Sequence, residues 1–130
     1  MTTEKSIEKN LPLVSVIVPA YNSEGTIERA IRSVLAQNYH PLEIIVIDDG
    51  STDNTPEVVK KFEGPVRLIR QENRGAAAAR NRGIQEARGE IAAFLDADDE
   101  WLPGRLEKTV RPMLDDPGVG LCYCRSLTVH

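Results

Sequence analysis

Residues 14–37 read VSVIVPAYNSEGTIERAIRSVLAQ, and this stretch decides the fold class. Its first part, residues 14–18, is β-branched at every position except Ser15. Such a composition is typical of a strand that is buried on both faces of a parallel sheet. Proline cannot donate to a strand ladder, so Pro19 is expected to end the strand.

The second part of the stretch has the periodicity of an amphipathic helix. The spacing predicts a helix over residues 24–37, with Asn22 or Ser23 as its N-cap. Its apolar stripe would be formed by Ile27, Ala30, Ile31, Val34 and Leu35. A buried strand that is followed at once by such a helix indicates a βα unit.

Strand-like and helix-like segments keep alternating along the rest of the chain. Further strands are predicted over residues 43–47, 66–70, 91–95 and 119–123, and further helices over residues 55–64, 75–87 and 103–114. This alternation predicts an α/β fold with helices packed on a mostly parallel sheet.

Composition limits the class of protein. The chain has 130 residues, which is the size of one domain, and 16 basic against 20 acidic residues give a net charge of −4. Because no basic stripe is present, a nucleic-acid partner is not expected. The sequence has no apolar run long enough for a membrane segment and no leader-like start, so a cytoplasmic location is expected.

The two cysteines, Cys122 and Cys124, lie two residues apart. On one face of a strand their Cα atoms would be about 6.5 to 7 Å apart, which is marginal for a disulfide. Buried free thiols are therefore the preferred interpretation. A metal-binding pair is the alternative, although no cluster of His or Cys accompanies them.

Polar, turn-prone segments follow three of the predicted strands, at residues 19–22, 48–51 and 96–99. Ligands of open parallel sheets bind beyond the carboxyl ends of the strands. The last segment places three carboxylates within four residues, and their mutual repulsion is relieved by a divalent cation or by full solvation. Oxygen ligands of this kind suit Mg²⁺ or Mn²⁺. A solvated acidic turn before the next helix is the alternative.

The remaining candidate residues allow two interpretations each. Asp49 could cap the next helix or accept a hydrogen bond from a nucleobase, and Tyr21 could fill the core or stack beside that base. Arg74, Arg80 and Arg82 surround the start of the alanine-rich helix, where a guanidinium could bind a diphosphate or simply be solvated. Of the three arginines, Arg80 is the one expected to face a ligand.

Taken in order, residues 14–37, EIIVIDDGSTDNT at 43–55 and NRGAAAARNRGIQEARGEIAAFLDADD at 73–99 resemble family 2 glycosyltransferases of the GT-A fold. The resemblance covers residues 14 to about 106 and implies a Rossmann-like three-layer α/β/α domain. It implies that Asp49 meets the base, Asp96 the ribose and Arg80 the diphosphate, and that Asp98 is the metal ligand. The implied donor-binding residues are Pro19, Ala20, Tyr21, Asn22, Glu24, Asp49, Arg80, Asp96 and Ala97.

The resemblance further implies transfer of a sugar from a nucleoside-diphosphate sugar, most often a UDP-sugar, with inversion and with Mn²⁺ or Mg²⁺. The acceptor, whether glycan, lipid or protein, is not specified. The family's general base is expected after His130, so residues 1–130 are interpreted as one nucleotide-sugar-binding domain, the N-terminal portion of a longer enzyme. The alternative is a nucleotide-binding module without turnover.

Two other classes fit the motifs poorly. A phosphorylation-dependent receiver domain requires its acidic pair after the first strand, whereas Asp48 and Asp49 follow the second. A dinucleotide-dependent oxidoreductase requires a glycine-rich turn where this chain has residues 19–22, PAYN.

Overall fold

The computed structural model describes residues 11–115, and side chains up to residue 112. Four strands form one parallel sheet in the order β3-β2-β1-β4. The strands are β1 (Val14–Ala20), β2 (Leu42–Asp48), β3 (Val66–Arg70) and β4 (Ile91–Phe94), and the helices are α1 (Ile27–Leu35), α2 (Thr55–Lys60), α3 (Ala76–Glu86) and α4 (Arg105–Asp115). The α/β class with a parallel sheet is confirmed. The strand predicted over residues 119–123, with Cys122 and Cys124, lies outside the described residues.

Alternate residues of the central strands enter two separate cores, one on each face of the sheet. Val16, Val18 and Val46 pack with α1, α2 and α4 on one face. Ile17 and Ile45 pack on the other face, against α3. Because successive side chains of a strand point to opposite faces, strands buried on both sides require apolar residues at nearly every position. The three-layer arrangement expected for this sequence is therefore present.

Helix α3 lies very close to β1, and Gly83 permits this approach. A Cβ atom at Gly83 would collide with Cγ2 of Ile17, and it would lie 3.0 Å from Cγ1 of the same side chain. Ala79, one turn earlier on the helix, is fully buried in the same layer. Small residues at these two positions let the helix pack directly on the strand. The start of α3 then lies at the carboxyl end of the sheet.

The prediction that Pro19 ends the first strand is wrong, since β1 continues to Ala20 and Pro19 is paired in register with Ile47. The carbonyl of Ile17 accepts from Leu95 N, so residues 17 and 19 direct their backbone groups toward β4. The β1–β4 pairing stops at the partners Ile17 and Phe94. The missing N–H of Pro19 therefore leaves no ladder hydrogen bond unmade.

The predicted N-cap of the first helix is also wrong. The helix begins at Ile27 with Thr26 as N-cap, and residues 24–26 form a turn. Asn22 does not cap it because its side-chain oxygen accepts from Thr52 N, about thirty residues away. The second helix is shorter than predicted and ends at Lys60 rather than at residue 64. The other elements predicted within residues 11–115 match the observed ones to within two residues.

A buried polar cluster ties three strands together near the amino ends of β1 and β2. Glu43 accepts hydrogen bonds from Ser15 Oγ at 2.6 Å, Arg88 N at 2.8 Å and Arg67 Nη1 at 3.1 Å. Burial alone would raise the pKa of Glu43, but these three donors outweigh it and lower the pKa. Glu43 is therefore an ionised, fully engaged carboxylate within the fold.

Among residues 11–115, no helix has the length and apolar character that crossing a membrane would require.

Candidate functional site

A cavity of about 410 Å³ lies at the carboxyl end of the sheet. Its wall combines the ends of β1, β2 and β4 with the start of α3. Eight of the residues implied by the resemblance line it: Pro19, Ala20, Tyr21, Asn22, Asp49, Asp96, Ala97 and Asp98. The strand order explains the convergence, because β1 lies between β2 and β4 and the three loops that follow these strands are neighbours.

Asp49 is buried, and the protein itself engages both of its carboxylate oxygens. Oδ1 accepts from Gln71 Nε2 at 2.9 Å and from Arg74 N at 2.8 Å, and Oδ2 accepts from Gly75 N at 2.9 Å. Burial raises the pKa of Asp49, but these hydrogen bonds outweigh that effect and lower it. Asp49 is thus an ionised acceptor at the N-terminus of α3, where the helix dipole also favours negative charge.

The hydrogen bonds of Asp49 leave little of its acceptor capacity unused. A carboxylate oxygen has two lone pairs, and on Oδ1 both are engaged. Oδ2 has one protein donor, so one lone pair remains for a further donor. Asp49 therefore both organises the loop before α3 and offers one acceptor position at the cavity. The interpretation that Asp49 caps the next helix, α2, is wrong: its donors lie in the segment before α3, and Thr55 N at the start of α2 donates to Asp53 Oδ1 instead. The ligand-binding interpretation is compatible with these contacts.

Two loops of the cavity wall are bonded directly to each other. Asn22, at a φ of +48°, donates from its backbone N to Ser51 Oγ at 2.8 Å and accepts at Oδ1 from Thr52 N at 2.8 Å. The next residue, Ser23, donates from its backbone N to Thr55 Oγ1 at 2.7 Å. The loop after β1 is therefore held by the loop after β2, and Asn22 serves this link as well as lining the cavity.

Tyr21 and Gly50 occupy the two loops that Asn22 joins. Tyr21 is 49% exposed beside the cavity, so it is not core filler. Gly50 has a φ of +81°, and a Cβ atom there would lie 2.9 Å from Asn73 N. A side chain at residue 50 would therefore push against the segment whose next two backbone N–H groups bind Asp49.

The acidic loop, residues 96–99, brings three carboxylates together. Ligand oxygens of Asp96, Asp98 and Asp99 lie within 4.8 Å of one another. Asp96 and Asp98 are exposed at the cavity, whereas Asp99 is buried. Opposite ligands of Mg²⁺ are about 4.2 Å apart, so the separations of these oxygens are of the size that a cation site requires. The donor set, all carboxylate oxygen, fits Mg²⁺ or Mn²⁺.

The arginines around α3 have different surroundings. Arg80 Nη2 lies 3.6 Å from Asp96 Oδ1, so it flanks the cavity without lining it. Arg82 instead pairs with Glu86 at 3.2 Å along the helix. The side chain of Arg74 is exposed while its backbone N binds Asp49. Glu24 is exposed next to the wall, and its backbone N donates to Asp53 Oδ2 at 3.2 Å.

Four residues of the wall were not predicted from the sequence: Ser23, Thr26, Ala76 and Ala79. The run of alanines at residues 76–79 was a usable signal, since small side chains at the start of a helix leave room for a ligand. Ser23 and Thr26 gave no such signal, because a hydroxyl between a strand and a helix is first taken as a cap.

Carboxylates from two strand ends around one cavity of a parallel α/β sheet are the arrangement of a nucleotide-binding enzyme domain. Comparison with known sequences makes this class specific: the model of the glycosyl transferase family 2 matches residues 15–128. The chain belongs to this family.

A curated relative in Escherichia coli is 45% identical over 104 residues, which cover 78% of this chain and 41% of that protein. It is named UDP-Glc:alpha-D-GlcNAc-diphosphoundecaprenol beta-1,3-glucosyltransferase WfgD. The chain spans less than half the length of the curated relatives it matches.

Two solved structures have the same fold. The mannosyltransferase PcManGT from Pyrobaculum calidifontis, in complex with GDP-Man and Mn²⁺, superposes with a TM-score of 0.76 at 34% identity, covering 84% of this chain and 34% of that one. TarS from S. aureus, in complex with UDP, superposes with a TM-score of 0.72 at 32% identity, covering 78% and 32%. The GT-A type of the fold is thereby established.

Proposed function

We propose that this chain is the donor-binding part of a glycosyltransferase that transfers a sugar from a UDP-sugar to an acceptor, with inversion and with a divalent cation. The observation that carries the proposal is the single cavity that has Asp49 on one wall and Asp96 and Asp98 on another. A base acceptor after β2 and a cation site after β4, in one cavity and with β1 between these strands, match the two ends of a nucleoside diphosphate. Relatives named for UDP-Glc or solved with UDP and GDP-Man support this class of ligand.

The base would bind between Tyr21 and Asp49. The remaining lone pair of Asp49 Oδ2 accepts the ring N–H of uracil, and the half-exposed ring of Tyr21 stacks beside the base. An ionised carboxylate accepts but does not donate. Guanine, which also has a ring N–H, would be tolerated at this contact, whereas cytosine presents an acceptor there and would be repelled.

The diphosphate would lie toward the acidic loop. Asp98 is the proposed metal ligand because it is exposed at the cavity, and Asp96 is the proposed ribose contact. When bound, the cation neutralises charge that develops on the leaving diphosphate. Arg80, 3.6 Å from Asp96, adds positive charge beside the same position. Asp99 is buried and already has an interaction within the protein, so the proposal does not use it as a ligand.

Among the described residues, the carboxylates that line the cavity are assigned to the donor, so none of them is proposed to remove the proton of the acceptor. As the resemblance implies, the general base is proposed to follow His130. Inversion requires attack on the anomeric carbon from the side opposite the diphosphate, with the base positioned next to the acceptor hydroxyl. Residues up to Asp98 would thus bind and orient the donor.

Calorimetric titration with UDP, GDP and CDP, each with Mn²⁺ and with a chelator, tests the proposal. We expect binding of UDP that requires Mn²⁺, a weaker or equal response to GDP and none to CDP. Equal binding of UDP in the chelator would contradict the metal role of Asp98. Binding of CDP as tight as that of UDP would contradict the contact between Asp49 and the base.

A further inference from the structure

Gln37 is a buried polar side chain that the proposed chemistry does not use. It lies two residues after α1 and is 4% exposed. Its Nε2 donates to Ser33 O at 3.1 Å and to Leu102 O at 2.9 Å, and its Oε1 accepts from Leu106 N at 2.8 Å. One side-chain amide therefore joins the end of α1 to the segment that leads into α4.

Ser33 makes a second link between the same two segments. Its Oγ accepts from Trp101 N at 3.0 Å and donates to Ala30 O at 2.7 Å. Residues 33 and 37 are four apart, so their side chains lie on the same face and both contact the segment 101–106. Together they engage the backbone at Trp101, Leu102 and Leu106.

These links fix the downstream end of the acidic loop. At its upstream end, Leu95 N donates to Ile17 O at 3.0 Å, which anchors the loop to β1. Within the loop, Asp99 N donates to Asp96 O at 3.0 Å and forms a tight turn. The carboxylates of the cation site lie between these two anchors, so their separation depends on where α1 holds residue 101 and its successors.

We infer that Gln37, assisted by Ser33, is a positioning residue that holds Asp96 and Asp98 in the arrangement that binds the cation. This inference rests on the proposed function. The hydrogen-bond pattern also specifies glutamine: the NH₂ group faces two carbonyls and the oxygen faces an N–H. Glutamate has the same shape but would present an acceptor to both carbonyls, so it cannot replace glutamine.

The test compares two Gln37 variants with a matched control. Gln37→Met retains the length of the side chain and removes all three hydrogen bonds, and Gln37→Glu retains the shape and removes both donors. Tyr39→Phe is the control, since it removes a partly buried hydrogen bond of 2.7 Å to Pro12 O, which lies just before the amino-terminal end of β1, whereas the acidic loop lies at the carboxyl end of the sheet. All binding is measured well below the unfolding temperature of each variant, so that loss of folded protein does not enter.

Two measurements are made on each variant. With UDP present, we expect the Kd for Mn²⁺ to rise about 10- to 100-fold in both Gln37 variants, as for other residues that support metal ligands. Without metal, we expect hydrogen exchange of the amides of residues 99–106 to accelerate about tenfold, the factor for one lost hydrogen bond. Tyr39→Phe should leave the Kd unchanged.

The outcomes separate the inference from the proposed function. If the wild-type chain binds no Mn²⁺ in the presence of UDP, the proposed function is wrong and the inference fails with it. If the wild type binds Mn²⁺ and both Gln37 variants bind it equally well, only the inference is wrong. A lower unfolding temperature with an unchanged Kd would likewise reduce Gln37 to a purely structural residue.

Discussion

Asp49→Asn is the substitution that tests the centre of the site most directly. Asparagine has the same shape as aspartate but offers one acceptor oxygen instead of two. With that oxygen in the position of Oδ1, the bonds from Gln71 and Arg74 N remain, and the new NH₂ group faces Gly75 N. The opposite orientation retains only the bond from Gly75 N. The first orientation is therefore expected, at the loss of one of the three hydrogen bonds.

The size of the effect follows from these contacts. A hydrogen bond to a charged group contributes about 1.5 to 3 kcal/mol, and the two retained bonds become weaker neutral ones. We expect the free energy of unfolding to fall by about 3 kcal/mol, which lowers the Tm by about 10 °C in a domain of this size. Thermal and urea denaturation at neutral pH measure this loss of stability. Asp98→Asn is the matched control, because that carboxylate is exposed on the same cavity and its replacement should change stability by less than about 0.5 kcal/mol.

The same substitution should abolish binding of the base, since an NH₂ group at the position of Oδ2 opposes the ring N–H of uracil. UDP affinity is measured by calorimetry at a temperature where the variant is fully folded. An Asp49→Asn protein as stable as the wild type would refute the energetic role of the three hydrogen bonds. A stable or unstable variant that binds UDP with wild-type affinity would refute the contact with the base.

Three further outcomes are expected. Asp98→Ala should remove the Mn²⁺ dependence of UDP binding with little change in Tm, measured by calorimetry and thermal denaturation; a large loss of stability would contradict its exposed position. The pKa of Glu43 is lowered below its ordinary 4.5, so its stabilisation is present above that value and is lost as the pH falls through the folded pKa. Glu43→Gln should therefore flatten the acid limb of a stability profile below about pH 4.5, and an unchanged limb would argue against this. Gly83→Ala should lower the free energy of unfolding by about 1 to 3 kcal/mol because the added methyl group overpacks against Ile17. Gly25→Ala is the control and should change it little, since the space around Gly25 is open. Equal Tm values for the two variants would contradict the close approach of α3.

The elements of the fold could be predicted because each depends on local pattern. A β-branched run and a stripe of apolar residues at helical spacing identify β1 and α1 without reference to the rest of the chain. The error at Pro19 has a different origin. Whether a proline ends a strand depends on how far the neighbouring strand extends, and the last β4 residue paired with β1 is Phe94. That length is a property of the assembled sheet.

The site was predictable to a similar depth. The strand ends that form the cavity follow from parallel pairing, and Asp49, Asp96 and Asp98 lie where that rule puts them. The partners of Asp49 were not predictable, because two of its three donors are backbone N–H groups, which every sequence has. Gln37 was overlooked for the same reason: its partners are the backbone of Ser33, Leu102 and Leu106.

The bonds between the loop of Asn22 and the loop of Thr52 join protein groups to each other and involve no ligand atom. The loss of conformational entropy that ordering these loops requires therefore occurs during folding and not when a ligand arrives. We then expect the nucleotide to bind a preformed, rigid site, with an on-rate that depends on charge and salt more than on loop rearrangement. Asn22→Ala removes the acceptor for Thr52 N and keeps the backbone donation to Ser51 Oγ. It would transfer part of that entropic cost to the binding step and would slow association, even though it changes neither the proposed base contact nor the proposed metal ligand.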